Sequence, residues 1–464
     1  MHRRDVATDV LTQAIIRYAV DRTRLDPPPL DGPRTEAELR AMVGRTVTPD
    51  GIGGLEALRV FAEVLAPACV SIDHPRYLSF VPAAPTEASI LFDLVVGASS
   101  IYGGSWLEGA GAVFAENEAL GWIASLAGLP AGSGGVFVSG GSAGNLSALV
   151  AARARWRERD PACAAQRGVI VASTGVHSSI AAAARVMDAD VVYVPADRRG
   201  RLTSAALDVT TAALDEATAA RVFALVATAG TTNAGVVDDL AAAARVAGAR
   251  RWWLHADGAY GGAALAAPSV RARFAGVEAA DSFVVDPHKW LFAPFDSCAL
   301  VYRDPDQARR THTQHAEYLD VLTQAPEWNP SDFAYHLTRR ARGLAFWFSL
   351  ATYGTRRYAE AIEACLATAR EAADLIRLDE RTELLFEPEL SVVLFRRVGW
   401  GPDEYHAWSE RALRAGLTLT VPTTWEGETV LRFCFVNPRT SSDDVRVILA
   451  SLAGGSAWAP GVSR

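Results

Sequence analysis

Lysine is the residue that this sequence most clearly lacks. Of its 45 basic residues only Lys289 is a lysine, and all the others are arginines. Arginine can replace lysine in an ion pair, but its guanidinium stays protonated and cannot form an imine with an aldehyde. Lys289 is therefore a candidate for amine chemistry, although chance survival of one surface lysine would give the same count.

Cysteines are also few, and their spacing argues against two kinds of site. The five cysteines are scattered over 464 residues, and no two of them have CxxC spacing. This pattern disfavours a disulfide framework and a structural zinc site, and it fits a reducing compartment. No metal site is predicted.

Long apolar runs and an excess of positive charge are missing as well. Runs such as ILFDLVVGA, interrupted by Asp93, are far shorter than the ~20 residues that span a bilayer. The first residues lack the apolar core and cleavage site of a signal peptide. A net charge of −8 offers no attraction to nucleic acid. We therefore expect a cytoplasmic protein with neither a membrane nor a nucleic-acid partner.

The hydrophobic patterns divide the chain into three parts. Residues 1–70 show helical spacing but too few apolar residues for a core of their own, so this segment is expected to pack on a partner surface. Residues 71–345 alternate β-branched runs with alanine-rich helical stretches, which predicts a large α/β domain with a mostly parallel sheet. Residues 346–464 combine a long helical pattern, strands and a last helix, which predicts a smaller α+β domain.

A glycine turn follows the first strand of the large domain. In VFVSGGSAGNLSAL, Gly140 and Gly141 allow close approach of the backbone, and Ser142 offers a hydroxyl. The helix that follows points its N–H groups at the same place, as in an anion site. No Walker A lysine is present, which disfavours a nucleoside triphosphate. Such a turn is more often structural, so alone it predicts a phosphate site only weakly.

Polar residues also end later strands, where ligands gather in parallel α/β sheets. His177 stands between a strand and a helix, where a capping role is the commoner one. Thr231 and Thr232 end the strand VFALVATAG. Asp257 ends the strand WWLHAD, and Ala259 after it is small enough for a flat heterocycle to lie against, although Asp257 could also be a capping residue.

The last strand end brings Asp286, His288 and Lys289 together in SFVVDPHKW. Here we expect burial to lower the pKa of the Lys289 amine and to make it a nucleophile. The ends of successive strands thus carry a phosphate turn, a histidine, hydroxyls, an acid and the one lysine. This combination predicts a functional site more specifically than any one of these residues does alone.

On these motifs the sequence resembles the pyridoxal 5′-phosphate (PLP) dependent group II amino-acid decarboxylases, the family of aromatic-L-amino-acid decarboxylase. The segment VVDPHKWLF is similar to the family's (N/D)PHKW motif, HADGAYGG to its HxDAAYGG motif, and SGGSAGNLSAL to its phosphate-binding turn. Asp257 and Lys289 are 32 residues apart, as the resemblance requires. The resemblance covers nearly the whole chain.

The resemblance implies PLP as cofactor and a role for each matching residue. Lys289 would form the Schiff base, Asp257 would pair with the pyridinium nitrogen, and His177 would stack on the ring. Ala259 and Thr232 would lie beside the ring, and the phosphate would be held by Gly141, Ser142 and His288. The implied fold is the type I, aspartate-aminotransferase-like fold, in a homodimer whose partner the N-terminal segment contacts.

The implied reaction is decarboxylation of an L-amino acid through the Schiff base on Lys289 and a quinonoid intermediate. An aromatic substrate is favoured by Phe80, Tyr102 and Trp106 near the proposed pocket segments, although these residues could equally belong to the core. Lys289, His177 and Asp257 are the catalytic candidates.

Two departures from the family pattern leave the product open. Pro82–Ala83 replaces a PT dipeptide, so a hydroxyl expected near the substrate carboxylate is missing. Phe333 is the closest match to a loop tyrosine that protonates the substrate carbon. Phenylalanine there accompanies oxidative deamination to an aldehyde in related synthases, which is one alternative. Tyr335 or His336 could supply the proton instead.

Two other functions compete with decarboxylation. Transamination by another type I PLP enzyme would also use Lys289, with Arg432 as a carboxylate clamp. A non-enzymatic binding role is disfavoured because lysine, acid, histidine and phosphate turn are all present.

Overall fold

The computed structural model describes residues 4–163, 165–315 and 327–453. Its centre is a seven-stranded sheet with the strand order β1-β7-β6-β5-β4-β2-β3. The pairs from β6 to β3 are parallel, and β7 pairs antiparallel with both β1 and β6. The strands are β1 (Gly134–Val138), β2 (Val169–Ser173), β3 (Asp190–Val194), β4 (Val222–Thr228), β5 (Trp253–Asp257), β6 (Ser282–Val285) and β7 (Cys298–Tyr302).

Helices cover both faces of this sheet. Along β2, Val169 and Val171 belong to one core cluster, whereas Ile170 and Ala172 belong to another, as the alternation of side chains in a strand requires. Strands buried on both faces are typical of parallel α/β sheets. The helices of this part are α4 (Glu87–Ser99), α5 (Trp106–Leu126), α6 (Gly141–Arg159), α7 (Ser178–Val186), α8 (Ser204–Ala212), α9 (Glu216–Arg221), α10 (Leu240–Arg250) and α11 (Pro305–His312).

A second, four-stranded antiparallel sheet follows, in the order β10-β11-β9-β8. It packs with its helices around a core of its own that includes Phe395, Trp408 and Phe433. The mostly parallel large sheet and the smaller α+β unit are therefore confirmed. The elements are α12 (Leu344–Leu378), β8 (Thr382–Leu384), β9 (Val392–Arg397), α13 (Pro402–Arg414), β10 (Thr423–Trp425), β11 (Glu428–Cys434) and α14 (Ser442–Ser451).

Three helices precede α4, namely α1 (Val6–Thr23), α2 (Glu36–Val43) and α3 (Gly54–Val60). Neither α1 nor α2 contains a buried residue, and α3 buries only Val60. Helix α2 begins at a capping box formed by Thr35 and Glu38, which explains why so short a helix starts there. None of the helices in the described ranges has both the length and the apolar character needed to cross a membrane.

Candidate active site

A cavity of about 710 Å³ lies at the carboxyl ends of the parallel strands. Because these ends meet at one edge of the sheet, residues that are far apart in sequence line the same space. All eight residues predicted to bind the cofactor line this cavity: Gly141, Ser142, His177, Thr232, Asp257, Ala259, His288 and Lys289.

The glycine turn stands at the start of α6. A Cβ atom on Gly141 would lie 3.0 Å from the Ala259 Cβ and 3.3 Å from Asp286 Oδ2, so a side chain at this position would displace its neighbours. Without one, the first residues of a 19-residue helix line the cavity, and the Gly141 N–H donates to Asp286 Oδ2 at 3.3 Å. Such a helix start can hold a phosphate group.

His177 caps helix α7 and also lines the cavity. Its Nδ1 accepts a hydrogen bond from the Ser179 backbone N–H (3.2 Å) and lies 2.9 Å from Ser179 Oγ. A backbone N–H can only donate, so Nδ1 carries no proton. When the imidazole is neutral, its proton is therefore on Nε2.

Asp257 is 4% exposed, and neutral donors hold its carboxylate. Oδ2 accepts a hydrogen bond from Asn145 Nδ2 at 2.9 Å, and Oδ1 accepts one from the Ala259 backbone N–H at 3.1 Å. The second proton of the same Asn145 amide goes to Ser179 Oγ at 2.9 Å. Asn145 thus links Asp257 to the serine that contacts His177.

His255 completes this buried network beneath Asp257. Its Nε2 donates to Asn145 Oδ1 at 2.8 Å, and its Nδ1 lies 2.8 Å from Ser282 Oγ, which accepts from Trp253 Nε1 at 2.7 Å. Burial lowers the pKa of His255 to about 4, so the ring is neutral. Neither Asn145 nor His255 was predicted from the sequence. Positions 255 and 257 point to the same side of a strand, which was the available signal for His255.

Lys289 follows β6 and contacts a carboxylate. Its Nζ lies 2.9 Å from Asp286 Oδ2, and Asp286 is 1% exposed. Burial is the largest single influence and disfavours the ammonium form, but the charge of Asp286, the hydrogen bond to it and the charges of Asp257 and Cys298 together outweigh burial and raise the pKa of Lys289. The expectation of a lowered pKa is therefore wrong, because Asp286, three residues earlier, supplies a counter-ion that the argument from burial left out.

His288 packs beside the same carboxylate. Its Nδ1 lies 2.7 Å from the Ser297 carbonyl oxygen, and its ring contacts Phe295 with centroids 4.8 Å apart. Burial lowers the pKa of His288, which favours the neutral ring.

Arg432, the carboxylate clamp of the transamination hypothesis, binds backbone groups. Its guanidinium donates to the carbonyl oxygens of Phe80 (2.7 Å) and Thr232 (2.6 Å). It thereby ties β11 of the small sheet to two segments of the large domain. Neither Arg432 nor Phe80 is among the residues lining the cavity, and the same holds for Tyr102 and Trp106.

Phe333 does not reach the cavity of its own chain. Its ring is 2% exposed and stacks on Trp328 with centroids 4.0 Å apart, inside the core on one face of the sheet. The prediction that Phe333 stands beside the reacting carbon is therefore wrong for this cavity. Tyr335, the alternative considered above, does line it. Residues 316–326 of the same loop lie outside the described residues.

Comparison with known proteins identifies the family. A model of the pyridoxal-dependent decarboxylase conserved domain matches residues 56–398. The chain belongs to this family. It is 28% identical to an aromatic-L-amino-acid decarboxylase of Bacillus atrophaeus over 89% of this chain and 88% of that protein. It is 30% identical to an L-2,4-diaminobutyrate decarboxylase of Rhizobium meliloti, over 84% of this chain and 80% of that protein.

Solved structures agree with this family assignment. The crystal structure of Oryza sativa TDC with PLP and tryptamine has a TM-score of 0.89 and 26% identity, covering 97% of this chain and 98% of that one. Mouse CSAD has a TM-score of 0.86 and 25% identity, with the same coverage. The protein is a PLP-dependent amino-acid decarboxylase with the type I fold, as the sequence predicted.

The polar groups that line the cavity match the groups of PLP. The start of α6 offers backbone N–H groups for the phosphate, although the Gly141 N–H donates to Asp286 Oδ2 at 3.3 Å, and the only lysine of the chain lines the same space. Asp257 offers a carboxylate for a pyridine nitrogen. Thr228 lines the same cavity, and its buried Oγ1 has no hydrogen-bond partner among the described residues. PLP would supply an aldehyde for the amine and a ring that accepts the electrons of the broken bond.

Proposed function

We propose that this decarboxylase converts an aromatic L-amino acid to its amine. Lys289 would link to the PLP aldehyde and later return as a free amine when the substrate replaces it. The Asp257 carboxylate would keep a proton on the pyridine nitrogen, because a carboxylate next to a basic nitrogen favours the charged form. Lys289, Asp257 and His177 are the proposed catalytic residues.

The remaining lining residues would position the cofactor. We propose that Gly141 and Ser142 bind the phosphate at the start of α6, with His288 on its other side. His177 would lie on one face of the ring with its Nε2 proton turned towards the cavity. Ala259 and Thr232 would contact the ring, since both line the cavity.

The side chains in the outer part of the cavity support an aromatic substrate. The rings of Phe295 and Tyr335 line it, together with Asp296. Asp296 accepts a hydrogen bond from Arg342 Nε at 2.9 Å, so its charge is already balanced. The second amino group of a diamino acid would need an uncompensated carboxylate, whereas an aromatic side chain needs only flat apolar contact. An aromatic-L-amino-acid decarboxylase and a tryptophan decarboxylase are among the relatives.

A product screen tests the substrate class. The purified holoenzyme is given L-tryptophan, L-tyrosine, L-phenylalanine, L-histidine and L-2,4-diaminobutyrate, and amine and CO2 are measured for each. We expect kcat/KM for the best aromatic substrate to exceed that for diaminobutyrate at least about tenfold, which corresponds to about 1.4 kcal/mol. A preference for diaminobutyrate would overturn the aromatic assignment.

Tyr335 offers a matched test of the aromatic wall. Tyr335→Ala should raise KM for the aromatic substrate, while Tyr335→Phe should keep KM because it keeps the ring. Tyr193→Ala is the control, because Tyr193 is similarly exposed (46% against 52%) but lies on the edge strand β3, outside the cavity lining. An equal effect of Tyr193→Ala would show that Tyr335 does not contact the substrate.

We also propose that the chain acts as a homodimer with three parts, residues 1–70, 71–345 and 346–464. Large apolar side chains are exposed on α4 (Leu91, Leu94 and Val95) and on α5 (Leu107 and Phe114). The N-terminal helices bury almost nothing within the chain, which suits a segment that packs on a partner. Light scattering should give twice the chain mass, and Leu94→Asp should reduce that mass. A monomeric wild type would contradict the proposal.

A further inference from the structure

Asp286 is the most buried carboxylate at the cavity. Its Oδ2 lies 2.9 Å from Lys289 Nζ and 3.6 Å from His288 Nε2, and it accepts a hydrogen bond from the Gly141 N–H at 3.3 Å. Its Oδ1 has no hydrogen-bond partner among the described residues, although the Cys298 thiol lies beside the carboxylate. A buried carboxylate held this sparingly needs a cation.

Among the described residues, Lys289 is the only group in contact with Asp286 that can balance this charge. His288 is the other basic side chain, but burial lowers its pKa and keeps it neutral. No arginine forms an ion pair with Asp286 among the described residues. The charge of Asp286 therefore depends on a proton on the Lys289 nitrogen.

Three further titratable groups on other strands interact electrostatically with Lys289. Asp257 on β5 also favours the protonated nitrogen, but hydrogen bonds from Asn145 and Ala259 already stabilise its charge. Cys298 on β7 and Cys434 on β11 are buried, and burial raises the pKa of both thiols, which keeps them neutral. Asp286 is therefore the carboxylate in direct contact with Lys289 Nζ.

We propose that Asp286 is the counter-ion that keeps the Lys289 nitrogen protonated, both as the free amine and when it is linked to PLP. The inference rests on the proposed role of Lys289. A protonated Lys289 nitrogen would draw electrons from the carbon that it is linked to, which would make that carbon easier for a substrate amine to attack. Asp286 thereby sets the pH range in which the enzyme can accept substrate, as a positioning residue acting through Lys289.

The test is a pH titration of the holoenzyme by absorbance, because the PLP–lysine linkage absorbs at different wavelengths with and without its proton. Asp286→Asn should lower the midpoint of this transition by about one pH unit or more, since it removes a negative charge in contact with the nitrogen. Asp286→Glu should restore most of the midpoint. An unchanged midpoint in Asp286→Asn would overturn the proposal.

Asp296→Asn is the matched control. Asp296 lines the same cavity, but its side chain is 41% exposed and pairs with Arg342. We expect its midpoint to stay within a few tenths of a pH unit of the wild type. If both variants shift the midpoint equally, the effect is one of net charge, and Asp286 has no special role.

The single lysine provides a second measurement if Asp286→Asn does not bind PLP. Reductive methylation of the full chain with ¹³C-formaldehyde labels only Lys289 and the N-terminal amine, and the ¹³C signal reports the pKa of Lys289 directly. A lower pKa in Asp286→Asn than in the wild type supports the inference, and an equal pKa overturns it. Neither measurement depends on turnover, so failure of the aromatic-substrate proposal would leave both readouts intact.

Discussion

The regions around the two buried carboxylates of the cavity stabilise negative charge in different ways. Asp257 ends β5, and its two oxygens accept hydrogen bonds from the neutral donors Asn145 Nδ2 and Ala259 N. Asp286 follows the neighbouring strand β6, and its charge is balanced by the ammonium of Lys289. Both residues are nearly inaccessible to solvent, with 4% and 1% exposure.

This difference fits the chemistry proposed for each region. The hydrogen bonds that hold the Asp257 carboxylate do not involve the lysine, which suits a residue that must hold a proton on a ring throughout the reaction. A carboxylate paired with the reacting amine responds to every change at that amine. Mutations in the two regions should therefore separate loss of charge balance from loss of hydrogen bonds.

The largest effect is expected at Lys289. Both Lys289→Ala and Lys289→Arg should lower turnover at least roughly 10³-fold, because neither side chain can form the linkage to PLP. Only Lys289→Ala leaves Asp286 without a cation, so its free energy of unfolding without PLP should fall by about 3 kcal/mol more than that of Lys289→Arg. Denaturant unfolding and steady-state kinetics measure the two effects. Equal stability of the two variants would show that the ion pair contributes nothing.

The next effect concerns Asp257. Asp257→Asn should lower kcat by about 10²-fold or more, because a neutral amide cannot keep the pyridine nitrogen charged. Asp238→Asn is the control. Asp238 is a carboxylate that is 2% exposed, accepts N–H groups of Leu202 and Thr228 at 2.7 Å, and is not among the residues lining the cavity. Asp238→Asn should leave the kcat of the folded enzyme within about threefold of the wild-type value. Similar losses in both variants would reduce Asp257 to a structural role.

The sequence predicted the parts of this site that short motifs encode. Asp257 ends a strand, and Gly141 and Lys289 follow strands within a few residues. Because the fold brings these strand ends together, their meeting at one edge followed from the predicted parallel sheet. Asp286 was visible in the same tetrapeptide as Lys289. Its effect on the lysine was missed because burial was weighed without the counter-ion three residues away.

The partners of these residues could not be predicted in the same way. Asn145 binds Asp257 across 112 positions of the chain, and only the packing of α6 on β5 decides that contact. The prediction for Phe333 was wrong for a similar reason. A short aromatic segment contains Trp328, Phe333 and Tyr335, and the pattern does not tell which ring enters the core and which faces the cavity.

A third prediction tests the neutral network directly. Asn145→Leu removes one partner each from Asp257, Ser179 and His255, so we expect a loss of about 1–3 kcal/mol in stability and about tenfold in kcat. Asn437→Leu is the control, since Asn437 is a buried amide that donates to the Asp73 carbonyl at 2.9 Å and is not among the residues lining this cavity. It should lose stability but keep kcat. A normal kcat in Asn145→Leu would show that Asp257 does not need the hydrogen bond from Asn145 for catalysis.

The smallest effect follows from His255, whose neutral ring supports the same network. Burial lowers its pKa to about 4 in the folded protein, against an ordinary value of about 6.5 in the unfolded chain. Between these values the unfolded state binds the proton more readily. This histidine therefore costs no stability above about pH 6.5, and stability is lost as the pH falls from there towards 4. At pH 5.5 the loss from one such group is about 1 kcal/mol.

His255→Gln should remove this loss, because glutamine keeps an N–H donor for Asn145 but does not titrate. The difference in unfolding free energy between pH 7 and pH 5.5 should therefore be about 1 kcal/mol smaller in the variant than in the wild type. His312→Gln should reduce it by a similar amount, because burial also lowers the pKa of His312 to about 4, but it should leave kcat unchanged since His312 is not among the residues lining the cavity. Only His255→Gln should also alter kcat, through Asn145 and Asp257. If its stability falls with pH as steeply as that of the wild type, His255 is already protonated in the folded protein, and the region around Asp257 is not held by neutral groups alone.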